Sequence, residues 1–176
     1  SRPVETVQRL YRDGVYYQLW NPLLFRHSSG KLFLFYKYGR PFEHWDCAYL
    51  TSDDGGRSWS ASHYPGGGLH GPSKNKPVEL EDGTIYCPAG GDKMEYTPDL
   101  GKTWKVVRFD NPEKLRGVIQ PALLRHGNGV LQALYRTMGE KHLAENWSHD
   151  NGRSWSPLKM ISLPSNNSGF DAVSYT

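Results

Sequence analysis

The chain has 176 residues, with 21 Lys and Arg against 18 Asp and Glu, a formal net charge of +3, and 13% aromatic residues. That balance is too weak and too scattered for a nucleic-acid surface. The longest apolar run, Leu32 to Tyr36, is far short of a membrane span, and the chain opens on Ser1 without a basic-then-apolar leader. Two cysteines, Cys47 and Cys87, cannot build a disulfide framework and read as buried thiols, while 19 glycines and 12 prolines point to a turn-rich chain.

In chain order, Asn21-Pro22-Leu23-Leu24-Phe25 and Lys31-Leu32-Phe33-Leu34 flank a Ser29-Gly30 turn, which is a hairpin signature. The stretch Tyr38 to Asp46 (Gly39, Arg40, Pro41, Phe42, Glu43, His44, Trp45) reads as an irregular loop and surface decoration. Then comes Ser52-Asp53-Asp54-Gly55-Gly56-Arg57-Ser58-Trp59. The order recurs. Lys76-Pro77-Val78-Glu79-Leu80 and Thr84-Ile85-Tyr86-Cys87 form a second hairpin, ahead of Thr97-Pro98-Asp99-Leu100-Gly101-Lys102-Thr103-Trp104. After a possible helical turn at Pro112 to Leu115, Gln120-Pro121-Ala122-Leu123-Leu124 and Val130-Leu131-Gln132-Ala133-Leu134 form a third, ahead of Ser148-His149-Asp150-Asn151-Gly152-Arg153-Ser154-Trp155. Asp171-Ala172-Val173-Ser174-Tyr175 looks like the first strand of another copy.

The boxes share Ser/Thr-x-Asp-x-Gly-x-Ser/Thr-Trp, and Asp54, Asp99 and Asp150 stand 45 and 51 residues apart. Units of about 40–50 residues holding a hairpin on each side of a turn are the mark of β-propeller blades. The fold expected is therefore all-β, with blades at about 15–65, 70–110 and 115–160 and a further strand at 167–176. Propellers close with about four to eight blades, so the chain reads as about half of a ring. Chain beyond this segment, in preference to partner chains, is expected to supply the rest. Within each box the Asp fixes a turn by accepting backbone N–H bonds, the Gly permits positive φ and the Trp packs. Asp54, Trp59, Asp99, Trp104, Asp150 and Trp155 are accordingly expected to be structural.

These boxes resemble the Asp-box (BNR) repeats of the sialidase superfamily, in its BNR-repeat-like branch. Trp20-Asn21-Pro22, Gly71-Pro72-Ser73-Lys74-Asn75-Lys76-Pro77, Ile119-Gln120-Pro121 and Asn167-Ser168-Gly169-Phe170-Asp171 support the match. The resemblance implies a six-bladed propeller and a site with an arginine triad for a substrate carboxylate, an Asp acid/base, and a Tyr nucleophile activated by a Glu. Aligned on Gly129, Arg136 falls on the second arginine of that triad. Gln120 falls on the glutamate, and an amide cannot take a phenol proton. Glu145 is a carboxylate that could reach in instead. Asn21 stands where sialidases commonly carry an Asp. The first arginine and the Asp acid are expected upstream, the third arginine and the Tyr downstream.

In propellers, ligands bind at a mouth of the central channel, near inner-strand starts. Asn21, Asn75, Lys76, Gln120 and Asp171 are polar residues at those starts and are candidate pocket-lining groups. Lys74 and Lys76 flank Asn75 and could hold a sugar carboxylate. Lys37 and Arg136 both close the second strand of a blade, and Tyr135 offers a stacking face. His27, His63, His70, His126, His142 and His149 lack metal-ligand spacing, so neither a metal nor another cofactor is expected. Asn146-Trp147-Ser148 and Asn166-Asn167-Ser168 are sequons, weakly favouring a secreted protein. The reading is a sialidase-like, exo-acting glycoside hydrolase on acidic-sugar glycans, with Gln120 and Arg136 at its centre and Asn21, Lys37, Lys74, Asn75, Lys76 and Asp171 binding substrate. A uronic-acid glycan lyase and a non-catalytic glycan-binding or assembly propeller are the alternatives.

Overall fold

The computed structural model describes residues 9–12, 14–40 and 44–173. They form three antiparallel sheets of four strands each. The first holds β1 (Arg9–Arg12), β2 (Val15–Arg26), β3 (Leu32–Arg40) and β4 (His44–Ser52) in that order. The second holds β5 (Val78–Glu79), β6 (Ile85–Gly90), β7 (Lys93–Thr97) and β8 (Lys105–Arg108). The third holds β9 (Ile119–Arg125), β10 (Leu131–Arg136), β11 (His142–Ser148) and β12 (Lys159–Pro164).

Every predicted hairpin is present, with β2–β3, β5–β6 and β9–β10 paired antiparallel. The sheets are blades because each is apolar on both faces, and the faces pack blade on blade. One core joins Tyr86, Met94 and Phe109 of the second blade to Leu123, Leu131, Tyr135, Trp155 and Leu158 of the third. Another joins Phe25, Phe33, Phe35 and Tyr49 of the first to Ile85 and Cys87 of the second, with Trp104 against it. Both cysteines are free and buried. Burial pushes the Cys47 thiol up to about 12 and raises Cys87 as well, so neither is an ionised nucleophile at neutral pH.

The Asp-boxes close the turns that follow β4, β7 and β11 in one way. Asp54 Oδ1 accepts from the Ser52 hydroxyl at 2.8 Å and the Ser58 N–H at 2.9 Å. Asp99 does the same with Thr97 and Thr103, and Asp150 with Ser148 and Ser154. The glycine of a box also meets the preceding blade: Tyr49 Oη donates to Gly101 O at 2.8 Å and Tyr86 Oη to Gly152 O at 2.6 Å. A Cβ on Gly101 would stand 2.5 Å from Tyr49 Oη, so only glycine lets the ring lie there.

Four expectations are corrected. The stretch Tyr38 to Asp46 is largely ladder and not loop, with Tyr38 opposite Asp46 and Arg40 opposite His44. The last strand of the first blade is reduced to a bridge between His63 and Tyr49, and β1 supplies the fourth strand instead. Pro65 lacks an N–H, and Gly66, Gly67 and Gly68 all take positive φ, which no strand continues through. No helical turn forms at 112–115, where Lys114 turns left-handed with φ of 52°. Residues 171–173 are irregular, while Ser174 to Thr176 lie outside the described residues, as do Pro41, Phe42 and Glu43 of the first blade's loop.

Candidate functional site

The inner strands β2 and β9 share an unusual start. Asn21 (φ 49°) and Gln120 (φ 51°) both adopt left-handed backbone immediately before a proline, and the ladder shifts register there in both blades. A residue before proline is sterically steered away from helical backbone, so each is an outlier held by its surroundings. On the partner strand, at the same end of the hairpin, Lys37 stands opposite Trp20 and Arg136 opposite Ile119, so the two cations occupy one repeat position.

Around Gln120 the expected residues converge. Arg136 Nη1 donates to Gln120 Oε1 at 3.0 Å. Its Nε and Nη2 donate to Asn167 Oδ1 at 3.1 and 2.9 Å, and Nη2 also reaches Asn167 O at 2.6 Å. Asn75, 3% exposed, donates from Nδ2 to Gln120 O at 3.0 Å. Its Oδ1 accepts from Lys74 Nζ at 3.1 Å, and the same ammonium donates to Phe170 O at 2.7 Å. One glycine eases this closeness: a Cβ at Gly169 would stand 2.6 Å from Lys74 Cε.

The result is a hydrogen-bonded arc from the 74–75 loop through β9 and β10 to the 167–170 segment. It carries two cations, Arg136 and Lys74, and every acceptor it shows them is neutral. Among the described residues neither cation has a carboxylate within ion-pair distance. A half-buried guanidinium surrounded by amide oxygens has the chemistry to receive an anion, because a carboxylate would replace weak acceptors with charge-assisted, bidentate ones.

Other expected residues lie elsewhere. Lys37 is 1% exposed and donates from Nζ to Gly71 O at 3.1 Å, beneath the loop that bears Lys74. Burial lowers its pKa. Lys76 is exposed on that loop, and Asp171 is exposed with its carboxylate turned to its own neighbour, accepting from Ala172 N at 2.9 Å. Asn21 makes none of the arc's hydrogen bonds. The Glu145 carboxylate is held by Gln132 Nε2 at 2.8 Å and Lys159 Nζ at 3.1 Å, so it does not stand in for the missing glutamate. Tyr135 is fully buried and donates to Asn146 Oδ1 at 3.0 Å, which removes it as a stacking face. Asn146 is likewise fully buried, so its sequon is closed in the folded chain, whereas Asn166 is exposed.

Sequence reasoning missed Glu95. It is 0% exposed and accepts from the backbone N–H groups of His70 (2.8 Å) and Gly71 (2.6 Å) and from Lys93 Nζ (2.9 Å). With Lys37 it straps down the segment that feeds the Lys74 loop. The only available signal was a carboxylate inside the strand Lys93-Met94-Glu95-Tyr96-Thr97, where a blade strand buries both faces.

The family model for the BNR repeat-like domain matches residues 2–176. A comparison with curated proteins finds no match. Among solved structures, the chain is similar to a protein of unknown function from Dyadobacter fermentans (18% identity, TM-score 0.68, covering 84% of this chain and 52% of that one). A mutant of the NanB sialidase from Streptococcus pneumoniae is matched at 12% identity and TM-score 0.72, over 91% of this chain and 42% of that one. The Trypanosoma rangeli sialidase, in complex with 2,3-difluorosialic acid as a covalent intermediate, is matched at 18% identity and TM-score 0.60, over 79% of this chain and 27% of that one. The chain thus spans about half or less of these neighbours, and the shared fold is that of sialidase propellers.

Proposed function

Because the chain belongs to the BNR repeat-like family, we propose that it is the part of a sialidase-type, carbohydrate-active protein whose Arg136 arc binds the carboxylate of a terminal acidic sugar. The complete protein then acts as an exo-glycoside hydrolase on glycans that carry such a sugar. The observation that carries this reading is the pairing of Arg136 and Lys74 with neutral acceptors alone.

On this reading the guanidinium exchanges Gln120 Oε1 and Asn167 Oδ1 for the two oxygens of the sugar carboxylate. Freed, the Gln120 and Asn167 amides turn to the sugar hydroxyls, and Asn75 keeps the Gln120 backbone in place. Lys74 adds a second positive charge at the rim. Gln120 is neutral, so proton transfer and nucleophilic attack belong to groups outside the arc. That same amide favours a second reading, a propeller that binds acidic glycans without cleaving them. A secreted location accords with both, since Asn166 offers an open sequon.

The test uses the full-length protein, with calorimetric binding of N-acetylneuraminic acid beside release of a chromophore from a sialoside. Arg136→Ala should weaken binding by about 10–100-fold, the worth of charge-assisted hydrogen bonds. Binding with release supports the hydrolase; binding without release supports the second reading. Folded protein that neither binds nor cleaves would sink both.

A further inference from the structure

We propose that the hollow between the first and second blades is a second carbohydrate site, which holds one pyranose ring against aromatic walls. It is separate from the Arg136 arc and does not depend on the reading of that arc.

The two blade junctions are built alike but filled differently. In each, a tyrosine hydroxyl caps the glycine carbonyl of the next blade's Asp-box, and the box tryptophan lies alongside. At the second-to-third junction the space is taken. Trp155 is 8% exposed, its indole N–H donates to Tyr86 Oη at 3.0 Å, and Phe109, leaving the second blade, packs with ring centroids 6.4 Å apart. At the first-to-second junction the segment leaving the blade is Pro65-Gly66-Gly67-Gly68, which has no large side chain to offer. Trp104 is left only partly buried, and its indole N–H makes no hydrogen bond. A cavity of about 490 Å³ remains, lined by Tyr49, His63, Tyr64, Lys102, Trp104 and Val106 and floored by the glycine loop.

The lining selects the occupant. Rings and polar groups share the lining: Trp104 is half-buried and exposed His63 stacks on the buried Tyr49 at 5.0 Å, with Trp104 at 5.9 Å from Tyr49. Beside them stand Lys102, His63 and the backbone of Gly66 and Gly67, which carries no side chain. A wholly apolar ligand would strand those polar groups. A fully polar one would waste the rings. A pyranose has both a C–H face that lies flat on an aromatic ring and a rim of hydroxyls for N–H and C=O groups. The volume lies in the range of about 300–1,000 Å³ typical of small-ligand sites. His63, Lys102 and Val106 are exposed, so a sugar can enter from solvent.

The full-length protein, labelled with 5-fluorotryptophan, reports this directly by fluorine NMR, the Trp104 resonance being assigned with Trp104→Phe. Methyl β-galactopyranoside and methyl α-mannopyranoside are the probes. A saturable shift of the Trp104 signal with at least one probe is expected, abolished by Val106→Arg, weakened severalfold by Lys102→Ala, and unchanged by Arg136→Ala. Val106 and Lys102 are solvent-facing, so these variants fold. No saturable shift with either sugar, a shift that survives Val106→Arg, or one lost in Arg136→Ala would overturn the proposal.

Discussion

The Asp-box carboxylates are the most uniformly placed charges in the molecule, and their surroundings all favour the ionised form. Hydrogen bonds from the Ser58 hydroxyl and N–H hold Asp54 below the usual carboxylate range. The Thr103 N–H and hydroxyl do so for Asp99. At Asp150 burial works the other way, but hydrogen bonds from Ser154 and Ser148 outweigh it and the net shift is downward. In the unfolded chain an aspartate titrates near 4. As pH falls, the unfolded state therefore takes up protons before the folded state does. The boxes' stabilisation is present above about pH 4 and is lost as pH falls through the lower folded values. Thermal unfolding followed from pH 6 downward should show a midpoint that drops steeply in the acid range. Asp54→Asn should lower the plateau and flatten the drop; an unchanged slope would refute the assignment of these groups to acid lability.

At the scale of single elements, what was legible in the sequence was local. Glycine turns, alternating apolar runs and box spacing dictate hairpins without reference to distant chain, and the hairpins are where they were expected. The candidate site was legible only in part, since repeat position tells where a side chain starts and not what covers it. Lys37 and Arg136 hold one position in two blades, yet Arg136 meets Asn167 while Lys37 is roofed by the Gly71 loop. Asn146 reads as a sequon and Glu95 as an ordinary strand residue until the neighbouring chain is placed against them. The strap that Glu95, Lys93 and Lys37 form bears on the arc through the 68–75 segment. Lys93 Nζ also donates to Gly68 O at 2.8 Å, so the backbone of that segment is held at several successive points. Glu95→Gln removes the buried negative charge, leaves one of the two N–H groups without its acceptor, and takes from Lys93 its carboxylate partner. Breaking such a buried set costs about 3–5 kcal/mol. Hydrogen exchange should accelerate at the His70 and Gly71 amides well beyond the rest of the second blade. Exchange that rises evenly over the whole chain would show a general loss of stability and no strap.

Over the whole molecule, stability is shared across blade junctions, because each apolar core draws residues from two sheets. The junctions are nonetheless unequal. Tyr86 Oη both accepts from Trp155 and donates to Gly152 O, locking the second and third blades through a continuous bridge. Tyr49 Oη donates to Gly101 O, but the Trp104 indole gives nothing back. A pair of double-mutant cycles resolves this difference. Tyr86→Phe with Trp155→Phe should show a coupling of about 1 kcal/mol, since each substitution removes the same hydrogen bond. Tyr49→Phe with Trp104→Phe should show a smaller coupling, because the two rings touch but no hydrogen bond joins them. Urea unfolding of the four single and two double variants of the full-length protein measures both. Equal couplings would mean that the two junctions are closed alike; unequal ones place the molecule's give at the first junction, where the hollow lies.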